Sequence, residues 1–447
     1  MSSAILHSSS LTETAVYRRA AWRLVPFLFF CYILAYLDRV NVGFAKLQMS
    51  ADLGIGDIAY GTGAGIFFIG YLIFEVPSNI ILSKVGARIW IARIMITWGI
   101  IASLQLFVAG EHAFYLLRFL LGVAEAGFFP GIILYLTIWF PSEYRARMVA
   151  WFMTAVAIAG VVGGPVSGVI LDAFDGFRGL QGWQWLFVLE GLPSALMGAV
   201  VLFWLDDSPK DAAWLNEEEK ALMMRRASLD EALRRPDGVA AHTAGYAMRN
   251  PKVWGFSGVY FLVVMGLYGI SFWLPQIIRD SITTDESAIG WISVIPWLTA
   301  ALVMVANGVH SDRTGERRWH VAVPCFAAAA AFAISAMPFA GGWYGILALS
   351  VATAGIMSAL SCFWSLPSAM LTGTAAAAGI AVINSFGNIA GYVSPELVGR
   401  IRESAGERME LVLVMFSLCL LFAAVSTLAV ASGSQFRFSG EGSSQGS

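Results

Sequence analysis

The chain has 447 residues, 58% hydrophobic and only 13% charged, with a mean hydropathy of +0.70. A soluble domain carries roughly twice that share of charge, so a water-soluble enzyme or binding module is excluded. The formal net charge of −2 decides little by itself; its placement matters more, and no nucleic-acid partner is expected.

Residues 1–21 are polar, contain Arg18 and Arg19, and have no short apolar core ahead of a cleavage site. They are expected to form a cytoplasmic tail and not a signal peptide. From there, apolar runs of about 20 residues follow one another, long enough to cross a bilayer as helices. They lie near 22–46, 57–80, 87–108, 112–138, 146–171 and 183–205, then 252–278, 287–309, 319–339, 342–366, 374–400 and 408–432. None alternates as a barrel strand would. The expected fold class is therefore an all-α polytopic membrane protein with twelve transmembrane helices. Residues 22–205 form one six-helix bundle, 206–250 a cytoplasmic linker, 251–432 a second bundle and 433–447 a cytoplasmic tail. In the linker, Asn216 followed by Glu217, Glu218 and Glu219 has the form of a helix N-cap with acids in the first turn, and Lys220 to Arg235 continues as an amphipathic helix on a wet surface.

The halves repeat. Lys84-Val85-Gly86-Ala87-Arg88 follows the second run, and Arg313-Thr314-Gly315-Glu316-Arg317 follows the eighth, 229 positions later. Pro165, closing VVGGP, and Pro395, closing GYVSP, are 230 apart. Two landmarks at nearly one offset indicate a duplication into parallel repeats. The short loops on the side of the termini hold Arg18, Arg19, Arg23, Lys84, Arg88, Arg145, Arg147, Arg313, Arg317 and Arg318, against Lys46, Arg178, Arg279, Arg400, Arg402 and Arg408 in the loops of the other side. This excess places both termini in the cytoplasm. The absence of any Asn-x-Ser/Thr sequon favours a bacterial source, hence the inner (plasma) membrane.

Cys31, Cys325, Cys362 and Cys419 all fall inside apolar runs, with no metal-site or disulfide spacing. No Gly-x-Ser-x-Gly, His-Glu-x-x-His or Walker-type loop occurs. The chain is thus expected to be no enzyme, to use no ATP and to need no cofactor or metal.

Intramembrane charge carries the functional reading, because a charge at the centre of a span costs about 2.5–3.5 kcal/mol on insertion scales. Arg118 and Glu125 lie seven apart in the fourth run, on one helix face. Asp38 and Arg39 in the first run lie at a depth similar to that of Arg118, so an Asp38–Arg118 pair is sterically reasonable. Glu125 has no obvious cation at its own depth, and a carboxyl without a counter-charge in apolar surroundings exchanges protons near neutral pH. Glu125 is the leading proton carrier, with Asp38 as a second proton-coupling acid. Arg39, on a face shared with Tyr36 and Tyr32, offers a guanidinium fork matched to a carboxylate and is the leading anion contact. Arg118 either assists it or is held by the acids. Tyr71 either donates its hydroxyl to a ligand or packs as an aromatic, and Glu75 is either a packing or a water-exposed group. The second half is poor in charge. Its polar stripe, Asn384 and Asn388, either bonds a ligand or glues two helices, and Trp364 before Pro367 is a candidate pocket wall.

Twelve helices in two parallel halves with a basic, Gly-containing loop after the second and eighth resemble the major facilitator superfamily. Gly308 to Arg317 (GVHSDRTGER) fits its loop motif, Ser83 replaces the usual acid in the first copy, and Gly160 to Gly168 (GVVGGPVSG) resembles its Gly-Pro stretch in the fifth helix. The set Tyr36-Leu37-Asp38-Arg39-Val40-Asn41, Arg118, Glu125, FWSLP from Phe363, and INSFGN from Ile383 resembles the anion:cation symporter branch. That branch contains bacterial sugar-acid, tartrate and phthalate carriers and is similar to vesicular glutamate transporters and sialin. The resemblance implies proton-driven uptake of an organic carboxylate. The expected partners are that small carboxylate, protons and the lipid bilayer, with the protein a monomer. A facilitative uniporter or an anion exchanger on the same fold remains the alternative.

Overall fold

The computed structural model describes residues 2–234, 249–337, 342–370 and 373–432. Arg235 and the expected tail 433–447 lie outside the described residues. A lipid-facing backbone has no water to bond, so each apolar segment closes its hydrogen bonds internally as helix. In chain order the spans are α1 (Glu13–Leu53), α2 (Asp57–Val85), α3 (Ala87–Phe107), α4 (Glu111–Trp139), α5 (Ser142–Ala173) and α6 (Gly182–Trp204). After the linker come α7 (Pro251–Ser281), α8 (Glu286–Thr314), α9 (Trp319–Ser335), α10 (Trp343–Ala369), α11 (Gly373–Ser404) and α12 (Glu410–Val430). Ten of the twelve have the length and hydropathy of a membrane span. The other two are α9, with 17 residues, and α11, whose middle carries the polar Asn384, Ser385 and Asn388.

α3 packs on α6 and α2 on α4 within the first six helices, while α9 packs on α10 and α12 within the second six. Two long seams join the sets, α2 against α11 and α5 against α8, with α7 also touching α1. The α5–α8 seam is backbone on backbone. A Cβ on Gly164 would come within 2.6 Å of the Gly290 carbonyl oxygen, so only small residues permit this approach.

Several spans are interrupted. α1 lapses at Asn41, between Val40 and Val42. α10 breaks at Trp364. α4 breaks after Glu125, where Gly127 adopts φ +87°. That left-handed conformation favours glycine, and a Cβ there would also lie 2.4 Å from the Ser78 hydroxyl. The break in α4 presents Glu125 at a helix end, whereas Asn41 keeps helical φ and ψ, so α1 runs on past Arg39 with only a local lapse.

The linker helix, Glu217–Arg234, starts as its sequence predicts. The Glu219 backbone N–H donates to Asn216 Oδ1 and the Asn216 N–H to Glu219 Oε2, each at 2.9 Å, which is a reciprocal capping box. Ion pairs of Glu219 with Arg19, Arg226 with Glu13, and Asp230 with Arg145 tie it to the end of the first bundle that carries the N-terminus. This end is called the terminal face below. In the loop after α2, where Ser83 stands for the usual acid, Asp207 accepts the Arg88 N–H at 2.8 Å. In the loop after α8, Arg317 pairs with Asp312 at 2.6 Å.

Candidate functional site

Asp38 and Arg39 are consecutive on α1 and leave it in different directions. One residue is about 100° of helical turn. Arg39 faces the seam between the halves, where it forms an ion pair with Glu125 through Nη2 and donates through Nη1 to the Tyr268 hydroxyl of α7 at 3.4 Å. Its guanidinium lies 5.3 Å from the Phe67 ring centre and 5.5 Å from that of Tyr71. Glu125 is buried, and its second oxygen has no hydrogen-bond partner among the described residues.

Arg118 is completely buried. Its Nη2 donates to the backbone carbonyls of Arg39 at 3.3 Å and Ala64 at 3.5 Å, while Nε and Nη1 have no partner among the described residues. Among the described residues no carboxylate forms an ion pair with it. Asp38 faces the interior of the first bundle, where Oδ2 accepts from Trp98 Nε1 of α3 at 2.8 Å and from Ser194 Oγ of α6 at 2.5 Å. Two expectations are therefore corrected. The Asp38–Arg118 pair that their depths allow does not form, because the helix turns Asp38 toward α3 and α6. Glu125 does have a cation, because the long stem of Arg39 carries its guanidinium from its own depth to that of Glu125.

The amide stripe of the second half also has a partner. Asn384 and Asn388 donate their Nδ2 groups to the two carboxylate oxygens of Glu75, at 3.4 and 3.2 Å. Glu75, which sequence reasoning left as a packing or wet group, is thus bound across the α2–α11 seam. Tyr36 meets Ser271 of α7 at 3.2 Å, hydroxyl to hydroxyl. Tyr71 lies beside the Arg39 guanidinium. Trp364 packs at the α10 break against Tyr260, with ring centres 4.9 Å apart. The structure therefore gathers Tyr36, Arg39, Tyr71, Glu125 and Tyr268 around one point of the seam, with Arg118 directly behind and the Glu75–Asn384–Asn388 bridge beside it. Asp38 stands apart, on the other side of α1.

A second charged group closes the face opposite the terminal face. Arg402 of α11 donates to Asp57 of α2 at 2.7 Å and to Asp280 of α7 at 2.9 Å, and Lys46 of α1 reaches Asp57 at 2.8 Å and Gln276 at 3.1 Å. Arg402 and Lys46 both lie over the Trp273 ring. Sequence reasoning missed this network by counting Lys46 and Arg402 as loop charges. The signal available was position, since acids and bases cluster within a turn or two of the same four helix ends. Glu190, an acid well inside the apolar run of α6, was missed as well, although the rule that singled out Glu125 applies to it equally.

Residues 28–395 match the sequence profile of the Major Facilitator Superfamily. The chain is similar to a protein of Agrobacterium vitis that carries the provisional name tartrate transporter, 46% identical over 426 residues, covering 94% of this chain and 92% of the relative. It is also similar to a Pseudomonas putida protein provisionally named metabolite transport protein NicT, 44% identical over 416 residues, covering 93% and 94%. Among solved structures, the partially occluded inward-open xylose transporter XylE of Escherichia coli superposes with a TM-score of 0.72 at 13% identity, over 91% of this chain and 98% of that one. At that identity the likeness concerns the fold alone.

Proposed function

The chain belongs to the Major Facilitator Superfamily and is a membrane transporter, not an enzyme, and on that premise we propose that it carries a small organic anion together with protons. The substrate class is a hydroxylated carboxylate, such as a sugar acid or a tartrate-like dicarboxylate. The direction is uptake across a bacterial inner membrane with both termini in the cytoplasm, by a single chain that rocks its halves about the central charges. The observation that carries this reading is the contrast between two neighbouring guanidiniums, Arg39 held by Glu125 and Arg118 holding only backbone carbonyls. A guanidinium with unused N–H groups in a low-dielectric site is a receptor for a carboxylate. Protonation of Glu125 neutralises the partner of Arg39 and frees its fork for the same anion, so proton and substrate load together.

The name of the Agrobacterium vitis relative supports the substrate class, and the excess of basic residues in the loops of the terminal face supports the orientation. With that orientation, the Arg402–Asp57–Asp280 network joins α2, α7 and α11 at the outer face. The test is uptake of radiolabelled L-tartrate and of sugar acids into proteoliposomes, with and without an inward proton gradient. Symport requires accumulation above equilibrium only when the gradient is present. Equal uptake in both conditions indicates a uniporter, and uptake only against an internal anion indicates an exchanger.

A further inference from the structure

α1 and α6 run antiparallel, and the Ser194–Asp38 hydrogen bond of 2.5 Å fixes their register. One turn toward the outer face, about 5 Å along each helix, replaces Asp38 by Asn41 on α1 and Ser194 by Glu190 on α6. Glu190 is 5% exposed, Asn41 2% and Asp38 1%. Glu190 Oε1 accepts from the Ser167 hydroxyl of α5 at 2.7 Å. Its Oε2, both polar atoms of the Asn41 amide and Asp38 Oδ1 make no hydrogen bond of normal length and angle among the described residues, and the Asn41 amide lies beside the Glu190 carboxyl. α3 supplies Trp98 to Asp38 and places Ala102 and Ser103 against the adjacent Gly191, while Arg118 and Glu125 of α4 lie within electrostatic reach of Asp38. Buried polar atoms without a hydrogen bond of good geometry are costly in apolar surroundings unless a small polar molecule completes them.

A small cavity adjoins these atoms at the seam between the halves. It is lined by Asn41 and Ser167 from the first half and by Ser271 and Ser293 from the second. Its walls are the same α5 and α8 that meet at Gly164 and Gly290, so separation of the halves at the outer face joins it to outside water. We propose that Glu190 is the outer entry point of a proton route that runs behind α1 to Asp38, separate from the path of the substrate. In the outward-open state a proton carried by water passes to Glu190 Oε2, turning the carboxylate into the acid. A water held by the Asn41 amide then bridges to Asp38 Oδ1, and Glu190 returns to carboxylate as Asp38 takes the proton. The inference rests on the proton-coupled reading above and assigns it a residue.

The experiment is an infrared difference titration of purified protein in lipid between about pH 5 and pH 9, following the carbonyl stretch of protonated carboxyls. Glu190→Gln is expected to lose one titrating carbonyl band, and Glu190→Asp to restore one. Ser167→Ala keeps the acid and removes its hydrogen bond, so the same band shifts to higher frequency. Should Glu190→Gln fail to fold, the Ser167→Ala shift decides alone. A titration unchanged in Glu190→Gln, or a band unmoved by Ser167→Ala, overturns the proposal. In proteoliposomes, Glu190→Gln is expected to lose gradient-driven accumulation of L-tartrate, and full retention also overturns it. If the unmodified protein does not carry L-tartrate, the substrate reading fails while the infrared titration still decides the proton route.

Discussion

Glu125 holds the Arg39 guanidinium at the end of a helix that Gly127 breaks, and the backbone carbonyl of the same Arg39 accepts from Arg118. Arg39 therefore connects Arg118 to Glu125. A proton on Glu125 changes what Arg39 can bind, and a movement of Arg39 changes the backbone on which Arg118 rests. Proton loading, anion binding and the position of α1 are coupled through this contact.

The first prediction follows for Glu125→Gln. The amide keeps a neutral hydrogen bond to Arg39 but can neither take up nor release a proton. Accumulation driven by a pH gradient is expected to be abolished, while exchange of internal for external substrate remains measurable. A variant that still concentrates substrate on a gradient removes Glu125 from the proton path.

Arg39→Lys keeps the charge and loses the planar fork. The ammonium reaches either the acid or the anion as a point charge and cannot meet Glu125, Tyr268 and a carboxylate at once. Loss of a buried charged contact costs about 2–5 kcal/mol, or roughly 30-fold or more in affinity. Calorimetric binding to purified protein is the check, and wild-type affinity in the variant would exclude this residue from the anion site.

The spans were legible in the sequence because the bilayer requires long apolar runs, and the linker cap at Asn216 and Glu219 because capping is local. Arg39, Arg118 and Glu125 were legible because charges inside such runs have few structural excuses. Side-chain direction was not. Asp38 and Arg39 are adjacent, and only the packing of α3 and α6 decides that one turns inward and the other to the seam. The break at Gly127 depends on tertiary contacts, such as Ser78 beside it, that no helical periodicity encodes. Lys46 and Arg402 have the positions of loop charges, and only the approach of α2 to α11 makes them a buried network.

Arg402→Ala leaves Asp57 with Lys46 alone and Asp280 without its cation. Removing one member of a fully buried ion pair costs about 3–5 kcal/mol; with the Asp280 side chain 38% exposed the cost here is smaller, and it falls on the state sealed at this face. The equilibrium is expected to shift toward the state open to it. A cysteine at the buried seam position Ser293 reports this, by faster reaction with an impermeant thiol reagent applied from that face. An unchanged labelling rate would show that the network does not hold the seal.

Gly164→Ala acts on the same seam through packing. Its Cβ meets a backbone carbonyl, which cannot rotate away as a side chain can, so α5 and α8 must separate or strain. A loss of about 1–3 kcal/mol is expected from overpacking of this kind, read as lower thermal stability together with faster labelling at the Ser293 position. Gly258→Ala is the control, since nothing lies within 4 Å of its added carbon.

The last prediction concerns the substrate and pH. At the seam Arg39 and Arg118 contribute two positive charges, and Glu125 and the adjoining Glu75 two negative ones when both are ionised. One proton leaves this group at +1 and a second at +2. An anion is therefore bound more tightly as protons load, and by linkage its affinity rises as pH falls from about 8 to 6, by at most about tenfold per pH unit for each coupled proton. The sign holds only for a ligand that stays ionised over that range, which carboxylic acids of ordinary strength do. Asn384 and Asn388 become available to substrate hydroxyls or a second carboxylate when Glu75 releases them, so hydroxylated mono- and dicarboxylates are expected to bind best. A binding series over carboxylates, neutral sugars and amines at several pH values checks both points. Binding of sugars or amines without competition by carboxylates, or carboxylate affinity that falls on acidification, contradicts the charge arrangement proposed for the site.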